Sequence, residues 1–83
     1  MKERLPLTAH ALQMLRERGI RGEWVTQVLE SPAQIEKRSD GTVHYMGPVP
    51  EHGGRVLRVV VNAEGDPPRV ITVFFDRRRG RKT

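Results

Sequence analysis

Three histidines, two arginines and one threonine stand where an 83-residue chain would place groups able to do chemistry. Arg58 and Thr72 each interrupt a run of apolar residues, Val56-Leu57-Arg58-Val59-Val60-Val61 and Val70-Ile71-Thr72-Val73-Phe74-Phe75. Arg18 falls within an apolar helical stripe, and His10 lies at the edge of that stripe, one turn before Met14. Histidine exchanges a proton near neutral pH, arginine keeps its charge and matches phosphate oxygens with a planar fork, and a threonine hydroxyl donates one further hydrogen bond. Each residue also has a plain structural reading. Arg18 can cap the last carbonyls of its helix, Arg58 can pair with an acid such as Glu36, and Thr72 can be an ordinary strand residue. His10, His44 and His52 have no spacing that demands a metal, so no metal and no cofactor is expected. The chain carries no Walker loop, no serine elbow and no paired-cysteine motif.

These residues must be positioned by two long strands, Arg55 to Asn62 and Arg69 to Asp76, joined by the loop 63–68. Side chains of one face recur every second residue, which groups Arg58 with Val56 and Val60, and Thr72 with Val70 and Phe74. Ahead of them, Thr8 suits the N-cap of a helix running to Arg18, and Gly19-Ile20 suits its left-handed end. Ala11, Leu12, Met14 and Leu15 form the buried stripe of that helix. A second helix, about Glu23 to Glu30, sets Trp24, Val25, Val28 and Leu29 on one face, and Ser31-Pro32 stops it. With only residues 19–22 between them, the helices should form a compact hairpin. Strands follow at Gln34 to Arg38 and Thr42 to Met46, around Asp40-Gly41, a strong hairpin signal. The Pro- and Gly-rich stretch 47–54 reads as the longest loop. The order α-α-β-β-β-β predicts an α+β domain: two N-terminal helices on an antiparallel sheet of about four strands.

Length fits a single domain, compact from about residue 7 to 76, followed by a basic tail at 77–83. The formal net charge of +5 points to a polyanionic partner. The tail arginines Arg77, Arg78 and Arg79 are either a nucleic-acid arm or a solvated end. His44, Tyr45, His52 and Arg55 combine an aromatic ring with neighbouring cations, a set suited to holding a base beside phosphate. Their plain reading is a cross-strand pair and a solvated loop. No apolar run approaches membrane-spanning length and no signal-peptide core begins the chain, so a cytoplasmic location is expected. The first strand would leave an open edge for pairing with a second chain.

The segments Leu7-Thr8-Ala9-His10-Ala11, Arg16-Glu17-Arg18-Gly19-Ile20, Trp24-Val25 and Leu29-Glu30-Ser31-Pro32, with the two closing strands, resemble the bacterial family catalogued as domain of unknown function 4258. That family is similar to the small toxin ribonucleases that include barnase, colicin D and RelE-like proteins. The resemblance implies metal-independent RNA cleavage, with His10 as the catalytic histidine and Arg18, Arg58 and Thr72 as its partners in the site. It also implies RNA as substrate; an acidic antitoxin-like protein is a further expected partner, one that suits the noncatalytic reading below as well. One departure is Arg21-Gly22, where such sequences often carry a serine cap at the start of the second helix. A second class of function fits the same composition: a noncatalytic basic module that binds nucleic acid or protein.

Overall fold

The computed structural model describes residues 5–77. In chain order its elements are α1 (Ala9–Arg18), α2 (Gly22–Glu30), β1 (Gln34–Lys37), β2 (Thr42–Val49), a 3-10 turn (Pro50–His52), β3 (Arg55–Asn62) and β4 (Arg69–Asp76). The four strands are antiparallel in the order β1-β2-β3-β4, giving the α+β architecture expected from the pattern. Both ends of α1 form as their residues dictate. The Thr8 side chain accepts from the Ala11 amide, and Gly19 takes the left-handed conformation at φ 64° that costs glycine little. Helix α2 begins at Arg21 with no side-chain cap.

One face of the sheet carries the core. Leu57, Val59 and Val61 of β3, Val70 and Val73 of β4 and Val49 of β2 are buried against Ala11, Ile20, Trp24, Val25 and Val28. Helix α1 lies along β4, whereas α2 crosses β2 and β3. The helices therefore do not close into a tight hairpin. Between them opens an apolar cleft of about 530 Å³, lined by Leu7, Leu12, Leu15, Val25, Leu29 and Tyr45 among others. This corrects the expected stripe of α1. Ala11 is fully buried, but Leu12 is 45% exposed because it borders the cleft.

Strand β2 is longer than its composition suggests, running through Gly47 and Pro48 to Val49, and Pro50–His52 form a 3-10 turn. Two features remove the conflict. The Arg38 amide donates to the Thr42 carbonyl, so the even-numbered residues of β2 turn their backbone groups toward β1. That pairing ends at Gln34↔Met46, and Pro48 lies beyond it, where its missing N–H removes no ladder bond. Gly47 is packed under Val28 of α2.

A second correction concerns Thr72. The β3–β4 register shifts between Val60↔Thr72 and Val61↔Val70, leaving Ile71 as the extra residue of a bulge. Val70 thereby joins the helix-side core, while Thr72 lies on the opposite, outer face with Phe74 and Asp76. Without the bulge, alternation would put Thr72 and Val70 together, as the sequence pattern implies.

A fully buried strand position and a cleft-side helix position predict different costs. Leu57→Ala, at a fully buried position, should lower unfolding free energy by about 2–5 kcal/mol in urea denaturation. Leu12→Ala should cost less than about 1 kcal/mol, since half of that side chain is already in water; an equal loss would mean that the cleft is closed in solution.

Candidate active site on the outer face

The approach of α1 to the sheet is set by four backbone and side-chain bonds. The lead into α1 runs beside β4 as a short parallel bridge, Leu7↔Val70. The Thr8 amide donates to the Val70 carbonyl at 3.0 Å, and the Val70 amide donates to the Pro6 carbonyl at 2.9 Å. The Thr8 hydroxyl donates to the Ile71 carbonyl at 3.3 Å and accepts from the Ala11 amide at 3.2 Å. One side chain therefore caps the helix and ties it to the bulged residue.

Two residues after that cap, His10 reaches around the edge of β4. Its Nε2 lies 3.3 Å from Thr72 Oγ1, the residue that the bulge has turned outward. A hydroxyl can donate or accept, so the imidazole can hold either partner role in this bond. Both groups are solvent-facing, as proton exchange with a ligand requires.

Register places more polar groups on the same face. The row Thr72, Val60, His44, Glu36 crosses all four strands, and the adjacent row is Phe74, Arg58, Met46, Gln34. Arg58 is 93% buried, with 7% exposure, and its guanidinium is committed inside the protein. Nε and Nη2 donate to Asp76 Oδ2 at 3.1 and 2.8 Å, and Nη1 lies 2.7 Å from His44 Nδ1. Glu36 Oε1 is 3.8 Å from Nη1 and also pairs with Arg38 at 3.1 Å. The guanidinium carbon sits 6.0 Å from the centre of the Phe74 ring. The fork expected to face phosphate is thus occupied by Asp76.

The family model described as Domain of unknown function (DUF4258) matches residues 7–75. The chain belongs to this family. No match was found among curated proteins or solved structures. The DUF4258 match takes in Thr8, His10, Arg58 and Thr72 and stops one residue before Asp76. Among the described residues, no group of three or more His, Cys, Asp or Glu side chains is arranged to hold a metal ion. No helix among them is long and apolar enough to cross a membrane.

The remaining candidates do not assemble at this site. Arg18 lies at the exposed end of α1, about 12 Å along the axis from His10 at 1.5 Å per residue. Tyr45 and Arg55 alternate onto the helix side of the sheet, where Tyr45 lines the apolar cleft. His52 stacks on Phe75 at 4.6 Å between ring centres and packs beside Trp24 at 5.6 Å, also on the helix side. Of the expected substrate-holding residues among those described, only His44 shares the outer face with His10 and Thr72. Arg77 is exposed at the end of β4, and Arg78 and Arg79 lie outside the described residues. Asp76 carries no motif of its own. The signal for it is the alternation Thr72, Phe74, Asp76 once the bulge is allowed for.

Within this DUF4258 domain the His44 pKa is pushed below the usual histidine range, chiefly by burial and then by the charges of Arg38 and Arg58, against the opposing pull of Glu36 and Asp40. A lowered folded-state pKa means that the unfolded chain takes up a proton which the folded protein refuses. His44 therefore contributes stability above the ordinary histidine pKa, and that contribution falls as pH drops through it. Urea midpoints measured at pH 7.5 and 5.5 should show this loss, and His44→Gln should shrink it; an unchanged difference would exclude His44 as its source. Thr8→Ala should lower stability by about 1 kcal/mol through loss of the cap, read by thermal or urea unfolding.

Proposed function

We propose that this protein is a metal-independent endoribonuclease whose working pair is His10 and Thr72. The observation that supports it most is the 3.3 Å contact between His10 Nε2 and Thr72 Oγ1 on a solvent-facing surface, made between residues 62 positions apart. Cleavage of RNA without a metal needs a base for the 2′-hydroxyl, donors for the charge gathered on phosphorus, and a proton for the departing 5′-oxygen. His10 Nε2 accepts the 2′-hydroxyl proton as that oxygen attacks the adjacent phosphorus. The Thr72 hydroxyl donates to a non-bridging oxygen as charge accumulates there. The bond from phosphorus to the 5′-oxygen then breaks, and the leaving oxygen takes its proton from water at this exposed site. The products are a 2′,3′-cyclic phosphate and a 5′-hydroxyl. A formal net charge of +5 favours approach of the polyanion.

The test is cleavage of oligoribonucleotides in excess chelator, with end-group analysis by mass spectrometry. The wild-type protein should leave 2′,3′-cyclic phosphate and spare an oligodeoxynucleotide of the same sequence. His10→Ala should slow cleavage by about a hundredfold or more, the usual contribution of a positioned acid or base, with an unchanged circular dichroism spectrum. Intact RNA with wild-type protein, and equal RNA binding by His10→Ala, would replace the enzyme with a noncatalytic basic binding module.

A further inference from the structure

Arg58 is the costliest side chain on the outer face to place, and its hydrogen bonds indicate what it does. A guanidinium has only donors. Its Nη1, 2.7 Å from His44 Nδ1, must therefore donate, and the His44 nitrogen must accept. A neutral imidazole whose Nδ1 accepts carries its proton on Nε2. Arg58 cannot easily swing away from this duty, since Asp76 holds its Nε and Nη2 at 3.1 and 2.8 Å. The protein thus fixes the tautomer of His44 through a buried cation that is itself fixed by a carboxylate.

The other end of that imidazole has no protein partner among the described residues. His44 stands in the same row as Thr72, with Val60 between them. Two cross-strand steps separate the His44 and Thr72 backbones by about 10 Å, and both side chains rise from the same face. Val60 between them is 5% exposed, so the apolar side chain in the middle of the row offers little surface beside its two polar ends. A row with a hydroxyl and an imidazole at one end and an N–H donor at the other is a two-ended seat for a phosphodiester.

We propose that His44 is a ligand-facing donor of the site, giving its Nε2–H to a non-bridging oxygen of an RNA phosphodiester, and that Arg58 is a positioning residue that acts through His44. This rests on the ribonuclease reading above, and it replaces the expected grip of Arg58 on phosphate. The lowered proton affinity of His44 suits the role, because a neutral ring keeps the Nδ1 lone pair that Arg58 needs. A protonated His44 would set two cations against each other and lose that bond.

Long-range nitrogen–proton correlation spectra of the uniformly ¹⁵N-labelled wild-type protein at pH 7.5 test the first half. His44 should show a protonated Nε2 and an unprotonated Nδ1, and Arg58→Lys should return it toward the mixture of tautomers seen in free histidine. A protonated Nδ1 in the wild-type protein would overturn the proposal without any variant having to fold. The second half uses an oligoribonucleotide methylated at every 2′-oxygen, which binds but cannot cleave. Its titration should shift both His44 Nε2 and His10. His44→Phe, which keeps a ring but lacks the donor, should weaken binding about tenfold or more, as expected for loss of a hydrogen bond to a charged group. Shifts at His10 with none at His44 would overturn this assignment and leave the ribonuclease reading standing. No binding by the wild-type protein would remove both.

Discussion

The Thr8 hydroxyl is the contact on which the geometry of the outer face depends. It accepts from the first turn of α1 and donates to the Ile71 carbonyl, so the direction in which the helix starts is referred directly to β4. The bulge at Ile71 does the complementary work on the strand. An extra residue leaves Val70 in the core and turns Thr72 outward. His10 and Thr72 meet only because both devices act within three residues of each other on β4. Either alone would leave the imidazole and the hydroxyl on different sides of the sheet edge.

Arg58 shows the same economy in electrostatic form. A desolvated cation in a β-sheet is destabilising unless its charge and its donors are answered. Asp76 answers both, with two short bonds to one carboxylate oxygen, and the Phe74 ring closes one side. Met46, its cross-strand neighbour, is 1% exposed, so the guanidinium and its carboxylate form a lid over apolar floor rather than a polar gap in it. The desolvation cost is then offset inside the network, and what remains is orientation. In the proposed site, the charge of Arg58 therefore matters less to a ligand than the direction it imposes on His44.

Much of this was legible in the chain. Thr8, Gly19 and the period of α1 define the first helix because capping and left-handed glycine are local properties. The strand runs 55–62 and 69–76 were equally plain, being the β-branched centre of the sequence. Two kinds of information were not local. Which way Thr72 faces depends on one inserted residue at Ile71, and no glycine, proline or other residue type in 70–75 marks the bulge. Alternation separates His44 from Tyr45, but which of the two faces the helices cover is decided by packing, and His52 is carried to the helix side by the 3-10 turn at Pro50–His52, so three rings that read as one set divide between opposite faces. Pro48 misled for a related reason, since a proline breaks a strand only where a neighbour needs its N–H, and β1 ends before that position.

The division of labour between the two faces follows from size. A chain of 83 residues without cysteine has one apolar layer to spend on stability, and it places that layer between the helices and the sheet. The outer face is left with alternate residues that need not pack against a second element, which is where polar groups can be ordered without breaking a core. Order there must come from hydrogen bonds between neighbouring strands, and the antiparallel ladder supplies a fixed spacing for them. His10 is the exception that completes the arrangement. It comes from the helix layer, and it can reach the outer face only at β4, the edge strand along which α1 lies. A histidine placed on α2, which crosses the interior strands β2 and β3, would have the whole sheet between itself and Thr72. The position of the candidate site at this edge is therefore set by the packing of α1 before any of its chemistry is considered.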